Sequence, residues 1–203
     1  QKAKQAFNGF ISEMKNRGKQ PRESTGNASQ WRIGPVELVI KNQRQFRFRY
    51  NEEPITQTWE NADSQADVEK SFKAACGSLE KSLLKEPEMP EIFWETYQSC
   101  IGQLSGSSFQ RGVKIEDFYK ELRITLTRRD ITKRPDSRLT YPEFPKWAFL
   151  YNLDTYISRG SSLQPEIRLS LGTANQTESN KIGFITNGLD SSSSYKKNSY
   201  IMN

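Results

Sequence analysis

Between Gln45 and Tyr50 the chain reads QFRFRY, so that Phe46, Phe48 and Tyr50 alternate with Gln45, Arg47 and Arg49. Successive side chains of a strand point to opposite faces, and the alternation therefore predicts a half-buried sheet with an aromatic inner face and a basic outer one. Trp31 to Ile40 reads as the partner strand, joined across Lys41-Asn42-Gln43-Arg44. Ile55 to Trp59 (ITQTW) is a candidate third strand, which Pro54 confines to an edge or a loop.

The core must come from a few well-placed amphipathic segments, because only 34% of residues are hydrophobic and the mean hydropathy is −0.81. The aromatic content of 11% argues against general disorder. Ala3, Phe7, Phe10, Ile11 and Met14 recur at helical spacing, with Gly18 placed as a stop, which predicts a basic amphipathic helix over 1–18. The stretch 19–30 holds turn formers and no core residues, and reads as a flexible connector.

Four further helices follow in the pattern. Ser64 and Asp67 resemble a capping box ahead of Val68, Phe72, Ala75, Leu79 and Leu83. Pro87 and Pro90 break that helix and open the next, striped by Phe93, Tyr97, Ile101 and Leu104. Ile115, Phe118, Tyr119, Leu122 and Leu126 mark a third, and Pro145 opens a fourth with Trp147, Leu150, Leu153 and Ile157 inward and Gly160 as its end. Ile167 to Leu171 and Lys181 to Thr186 read as a C-terminal hairpin, and 190–203 as a disordered tail.

The expected fold is α+β: an N-terminal helix and β-hairpin, a central group of about four helices, and a C-terminal β-hairpin that is a candidate to complete one antiparallel sheet with the first. Residues 31–189 are expected to form a single domain, since 203 residues sit within the ordinary size of one.

Histidine is absent from the sequence, which removes Ser-His-Asp and Cys-His nucleophile activation and the commonest general base near neutral pH. With two cysteines and no imidazole, a tetrahedral Cys/His zinc site within the chain is excluded. Cys76 and Cys100 fall at or beside apolar helical positions and read as buried thiols, which favours an intracellular setting. No Gly-rich phosphate loop or dinucleotide fingerprint is present, and no cofactor is expected. A metal-dependent nuclease would need paired carboxylates and a lysine on neighbouring strands; the nearest string, Pro135-Asp136 and Glu143-Phe144-Pro145-Lys146, misses the spacing by one residue and reads as loop. The protein is therefore read as a non-enzyme. No apolar run approaches the roughly 18–20 residues of a membrane-spanning helix, and no membrane partner is expected.

Charge is segregated along the chain. Residues 1–50 hold eleven Lys and Arg against three acidic residues, residues 51–100 hold four against eleven, and residues 101–150 hold ten against six, within a net charge of +6. Two basic clusters stand out as candidates for nucleic-acid binding. Lys41, Arg44, Arg47 and Arg49 line one hairpin, where cations at alternate strand positions match a phosphate backbone. Arg123, Arg128, Arg129, Lys133 and Arg134 gather at the end of the third of those helices and beyond it, further than the helix dipole explains. For the hairpin cluster the competing reading is a solvated face, or charges paired with the acidic 51–100 block; for the second, part of the cluster is accounted for by the helix macrodipole alone.

A winged-helix arrangement with Ile115–Arg129 as reader is disfavoured by Glu116, Asp117 and Glu121 near the start of that helix. Phe46, Phe48 and Tyr50 would serve as a base-stacking platform only if exposed. The leading expectation is a nucleic-acid-binding protein that holds the backbone by charge. The alternatives are a self-assembling coat or scaffold subunit whose basic and acidic parts meet between copies, and a secreted interaction protein, motivated by the start at Gln1 and the sequons at Asn27 and Asn175.

Overall fold

The alternation at 45–50 is realised as a strand in which burial switches at every residue, leaving Phe46, Phe48 and Tyr50 with no solvent exposure. The structure is a computed structural model, and it describes residues 1–24, 27–85, 88–103, 112–133, 144–163, 169–173, 184–186 and 196–202. These form an α+β protein with five helices and two antiparallel sheets. They divide into two compact units, one over Gln1–Leu83 and one beginning at Leu84, whereas the sequence pattern places no boundary there.

In the first unit, β1 (Arg22–Ser24), β2 (Asn27–Ile33), β3 (Val36–Lys41), β4 (Gln45–Tyr50) and β5 (Glu53–Pro54) lie side by side in chain order, and β6 (Glu60–Asn61) also pairs with β4. Gly34 takes φ 60 in the two-residue turn between the paired Ile33 and Val36, and Asn42 and Gln43 take φ 49 and 56 at the β3–β4 turn. Arg44 N donates to Lys41 O across the second of these turns at 3.2 Å.

Helices α1 (Lys2–Asn16) and α2 (Gln65–Ser82) cover the aromatic face of this sheet. Phe7 meets Phe46 edge-on at 6.0 Å between ring centroids, and Phe10 lies 6.3 Å from Phe48 and 5.5 Å from Phe72. Such edge-to-face pairs place the positive ring edge on the negative ring face and add to the burial itself. Helix α1 ends where Gly18 takes φ 73: Gly18 N donates to Lys15 O and Lys19 N to Met14 O, both at 3.0 Å, the pair of bonds of a Schellman motif. Helix α2 opens on Ser64, whose Oγ accepts from Asp67 N at 3.3 Å.

In the second unit α3 (Met89–Gln103), α4 (Ile115–Lys133) and α5 (Lys146–Leu163) bury Phe93, Phe118, Phe149, Leu122 and Leu153. Phe93 sits 5.7 Å from Phe118 and 5.0 Å from Tyr156. A small sheet is built around β10 (Lys196–Met202), which pairs with β7 (Val113–Lys114), β8 (Ser170–Thr173) and β9 (Phe184–Thr186). No helix of the described residues is long and apolar enough to cross a membrane.

Four expectations are corrected. The connector at 19–30 carries β1 and the first part of β2, because a strand at the outer edge of a sheet needs backbone pairing rather than core residues. Ile55–Trp59 is not a strand; the chain pairs with β4 on either side of it, at Glu53–Pro54 and at Glu60–Asn61. Among the described residues the C-terminal segments do not pair with each other or with the first sheet. Both β8 and β9 pair with β10, which lies in the stretch read as a disordered tail. In α5 the inward stripe is Phe149, Leu150, Leu153 and Tyr156, while Ile157 is 38% exposed and Gly160 lies inside the helix.

Candidate nucleic-acid interface

The outer face of the first sheet holds the basic residues that the alternation of β4 places there. Arg49 stands opposite Glu37, and Arg47 opposite Val39. Arg49 Nε donates to Glu37 Oε2 at 2.7 Å, and its Nη2 donates to Gln30 Oε1 at 3.2 Å. The Arg49 and Glu37 side chains are only 15% and 6% exposed, so this guanidinium is committed to a desolvated pair and is withdrawn from the candidate contacts.

Arg47 is held differently. Its guanidinium carbon lies 4.3 Å from the centroid of the Trp59 ring, and its Nε is buried without a hydrogen-bond partner. Lys41, exposed at the end of β3, brings its Nζ to 5.2 Å from the same ring. Trp59 reaches this position because Glu60 and Asn61 pair back onto Phe46 and Gln45, and Ala62 N donates to Arg44 O at 2.9 Å.

A cleft of about 1140 Å³ lies where the first turn of α1 meets the β3–β4 turn and the chain after β6. Lys2, Lys4 and Arg44 line it with Asn42, Gln43 and Asn61, and Asp63 is the single carboxylate among its lining residues. Among the described residues, no carboxylate comes within ion-pair distance of Lys2, Lys4, Lys41 or Arg44. Lys2 and Lys4 were not singled out from the sequence. They read there as the polar side of an amphipathic helix, and only the docking of α1 brings them to the turn.

The second basic cluster resolves into ion pairs. Arg129 Nη2 lies 2.8 Å from Glu95 Oε2, Lys133 Nζ lies 3.2 Å from Glu88 Oε2, and Arg128 Nη1 lies 3.4 Å from Glu121 Oε1. Glu88 and Glu95 belong to the acidic 51–100 block, so α4 ties itself to α3 and to the turn before it. Arg123 is exposed, with its guanidinium 5.9 Å from the Tyr119 ring. Arg134 lies outside the described residues, as do Asp136, Glu143 and the sequon at Asn175, while Asn27 falls in β2.

Phe46, Phe48 and Tyr50 are fully buried, with Phe46 and Phe48 packed against Phe7 and Phe10 of α1, so these rings offer no stacking platform. All four tryptophans are instead half-buried, because the phenylalanines fill the core. Cys76 and Cys100 are free thiols, and burial, with Glu121 nearby, pushes Cys100 up to about 12. Among the described residues no group of three or more Cys, Asp and Glu is placed to hold a metal ion. Comparison of the chain with known protein families, with characterised proteins and with solved structures finds no match.

Proposed function

We propose that the protein binds nucleic acid without catalysis, gripping the phosphate backbone with Lys2, Lys4, Lys41 and Arg44 around the β3–β4 turn. The observation that carries this reading is the contrast in pairing. The cations at this turn have no carboxylate partner among the described residues, whereas Arg49, Arg128, Arg129 and Lys133 are each spent on one. An unpaired cation attracts an anion without first giving up an internal partner, and each phosphate it neutralises releases condensed counterions. The polar backbone and amide groups of Asn42, Gln43 and Asn61 in the same cleft supply hydrogen bonds that position a phosphate without reading sequence.

The test is fluorescence anisotropy with labelled DNA and RNA between about 50 and 200 mM salt, where contacts to several phosphates weaken binding by orders of magnitude. Steeply salt-dependent binding is expected. Binding absent at the lowest salt rejects the reading.

A second reading, a self-assembling subunit, is favoured by α4. Ile124 and Ile131, two turns apart on that helix and therefore on one side of it, are 39% and 37% exposed. Sedimentation of a stable monomer at high concentration and low salt counts against it.

A further inference from the structure

Trp59 is a large aromatic that the first unit places against two cations without a carboxylate partner among the described residues, Arg47 and Lys41, and it sits outside the aromatic core. It lies in the irregular stretch between β5 and β6, half-buried, and the pairing of Glu60 and Asn61 with β4 sets it against the outer face of the sheet. Among the described residues no other aromatic ring packs on it. Its ring neighbours are cations: Arg47 at 4.3 Å and Lys41 at 5.2 Å from the centroid. Arg47 is also the one residue of the β4 basic row with a buried Nε that has no partner, while Arg49, two positions on, is fully engaged by Glu37 and Gln30.

From this juxtaposition we infer that the protein selects single-stranded over double-stranded nucleic acid, with Trp59 and the Arg47 guanidinium as the platform on which an unpaired base stacks. The inference rests on the backbone-binding reading above and deepens it. An indole and a guanidinium plane both accept the face of any base, so the platform is tolerant of sequence. Bases in a duplex already stack on each other, and only an unpaired base gains from a ring offered by the protein. Lys41 stands against the Trp59 ring and Arg44 N donates to Lys41 O across the β3–β4 turn, which supplies cations for the phosphates on either side of a stacked base.

The test measures anisotropy of a labelled oligothymidylate and of a duplex of equal length, in one buffer, for the native chain and for Trp59→Ala and Trp59→Leu. The native chain is expected to favour the single strand by at least about fivefold, and each variant to lose about five- to a hundredfold on the single strand and less than that on the duplex. Trp59→Leu keeps apolar volume over Arg47, so it separates loss of the π-face from loss of packing, and a thermal melt of each variant shows whether it is folded. If the native chain binds both strands equally and Trp59→Leu changes neither, the stacking inference is overturned while salt-steep binding leaves the backbone reading standing. Failure to bind either strand at low salt overturns both.

Discussion

The two basic regions look alike in sequence and differ in what surrounds them. Around the β3–β4 turn, Lys2, Lys4 and Arg44 line a cleft with one carboxylate on its lining, and Lys41 at the end of β3 has no carboxylate partner among the described residues. Along α4, Arg128, Arg129 and Lys133 each reach a glutamate within 3.4 Å or less. A cation with an internal partner has spent part of its attraction, and a phosphate must displace that partner before binding. Density of lysine and arginine along a chain therefore says less about an anion site than the acids the fold brings alongside.

The sharpest way to break this comparison is to reverse charge at the turn. Lys4→Glu with Arg44→Glu is expected to lower affinity for nucleic acid about a hundredfold at low salt and to reduce the slope of log affinity against log salt by about two, read by anisotropy. An unchanged slope would move the interface elsewhere.

Arg49→Ala sharpens it from the other side. It removes one partner of Glu37, whose side chain is 6% exposed, and is expected to destabilise the first unit by about 2 kcal/mol in denaturant unfolding while the folded protein keeps its affinity. Since Arg49 shares the strand and face of Arg47, a large loss of affinity here would show that pairing does not decide which cations serve.

The smallest effect belongs to α4. The Arg129 and Glu95 side chains are 29% and 42% exposed, and those of Lys133 and Glu88 are 62% and 38% exposed. Arg129→Ala with Lys133→Ala is expected to lower stability by less than about 1 kcal/mol for each pair, measured by thermal melting, and to leave binding as it was. A strong loss of binding would restore this cluster to the interface.

Much of the local structure was legible because its cause is local. The period-two run of β4, the Ser64 cap of α2 and the Gly18 stop of α1 depend on residues within a turn or two of each other, and all three are observed. The site was legible only in part. Lys41, Arg44 and Arg47 stand where the alternation and the turn place them, but the same pattern put forward Arg49, whose partner Glu37 lies twelve residues away on the neighbouring strand. Lys2 and Lys4 carry no signal beyond the polar side of a helix. Trp59 carried the signal of a strand that does not form.

Composition and pattern by themselves determined the α+β class, the aromatic inner face of β4, the absence of imidazole chemistry and a surplus of positive charge. These follow from side-chain type and from the fixed periods of strand and helix. Tertiary structure decided which cations are spent and which are left. Ion pairs such as Arg129–Glu95 and Lys133–Glu88 join residues tens of positions apart, and β10 finds three strands scattered from residue 113 to residue 186. Coulomb attraction and backbone pairing act on distance in space, and no window of sequence contains that distance.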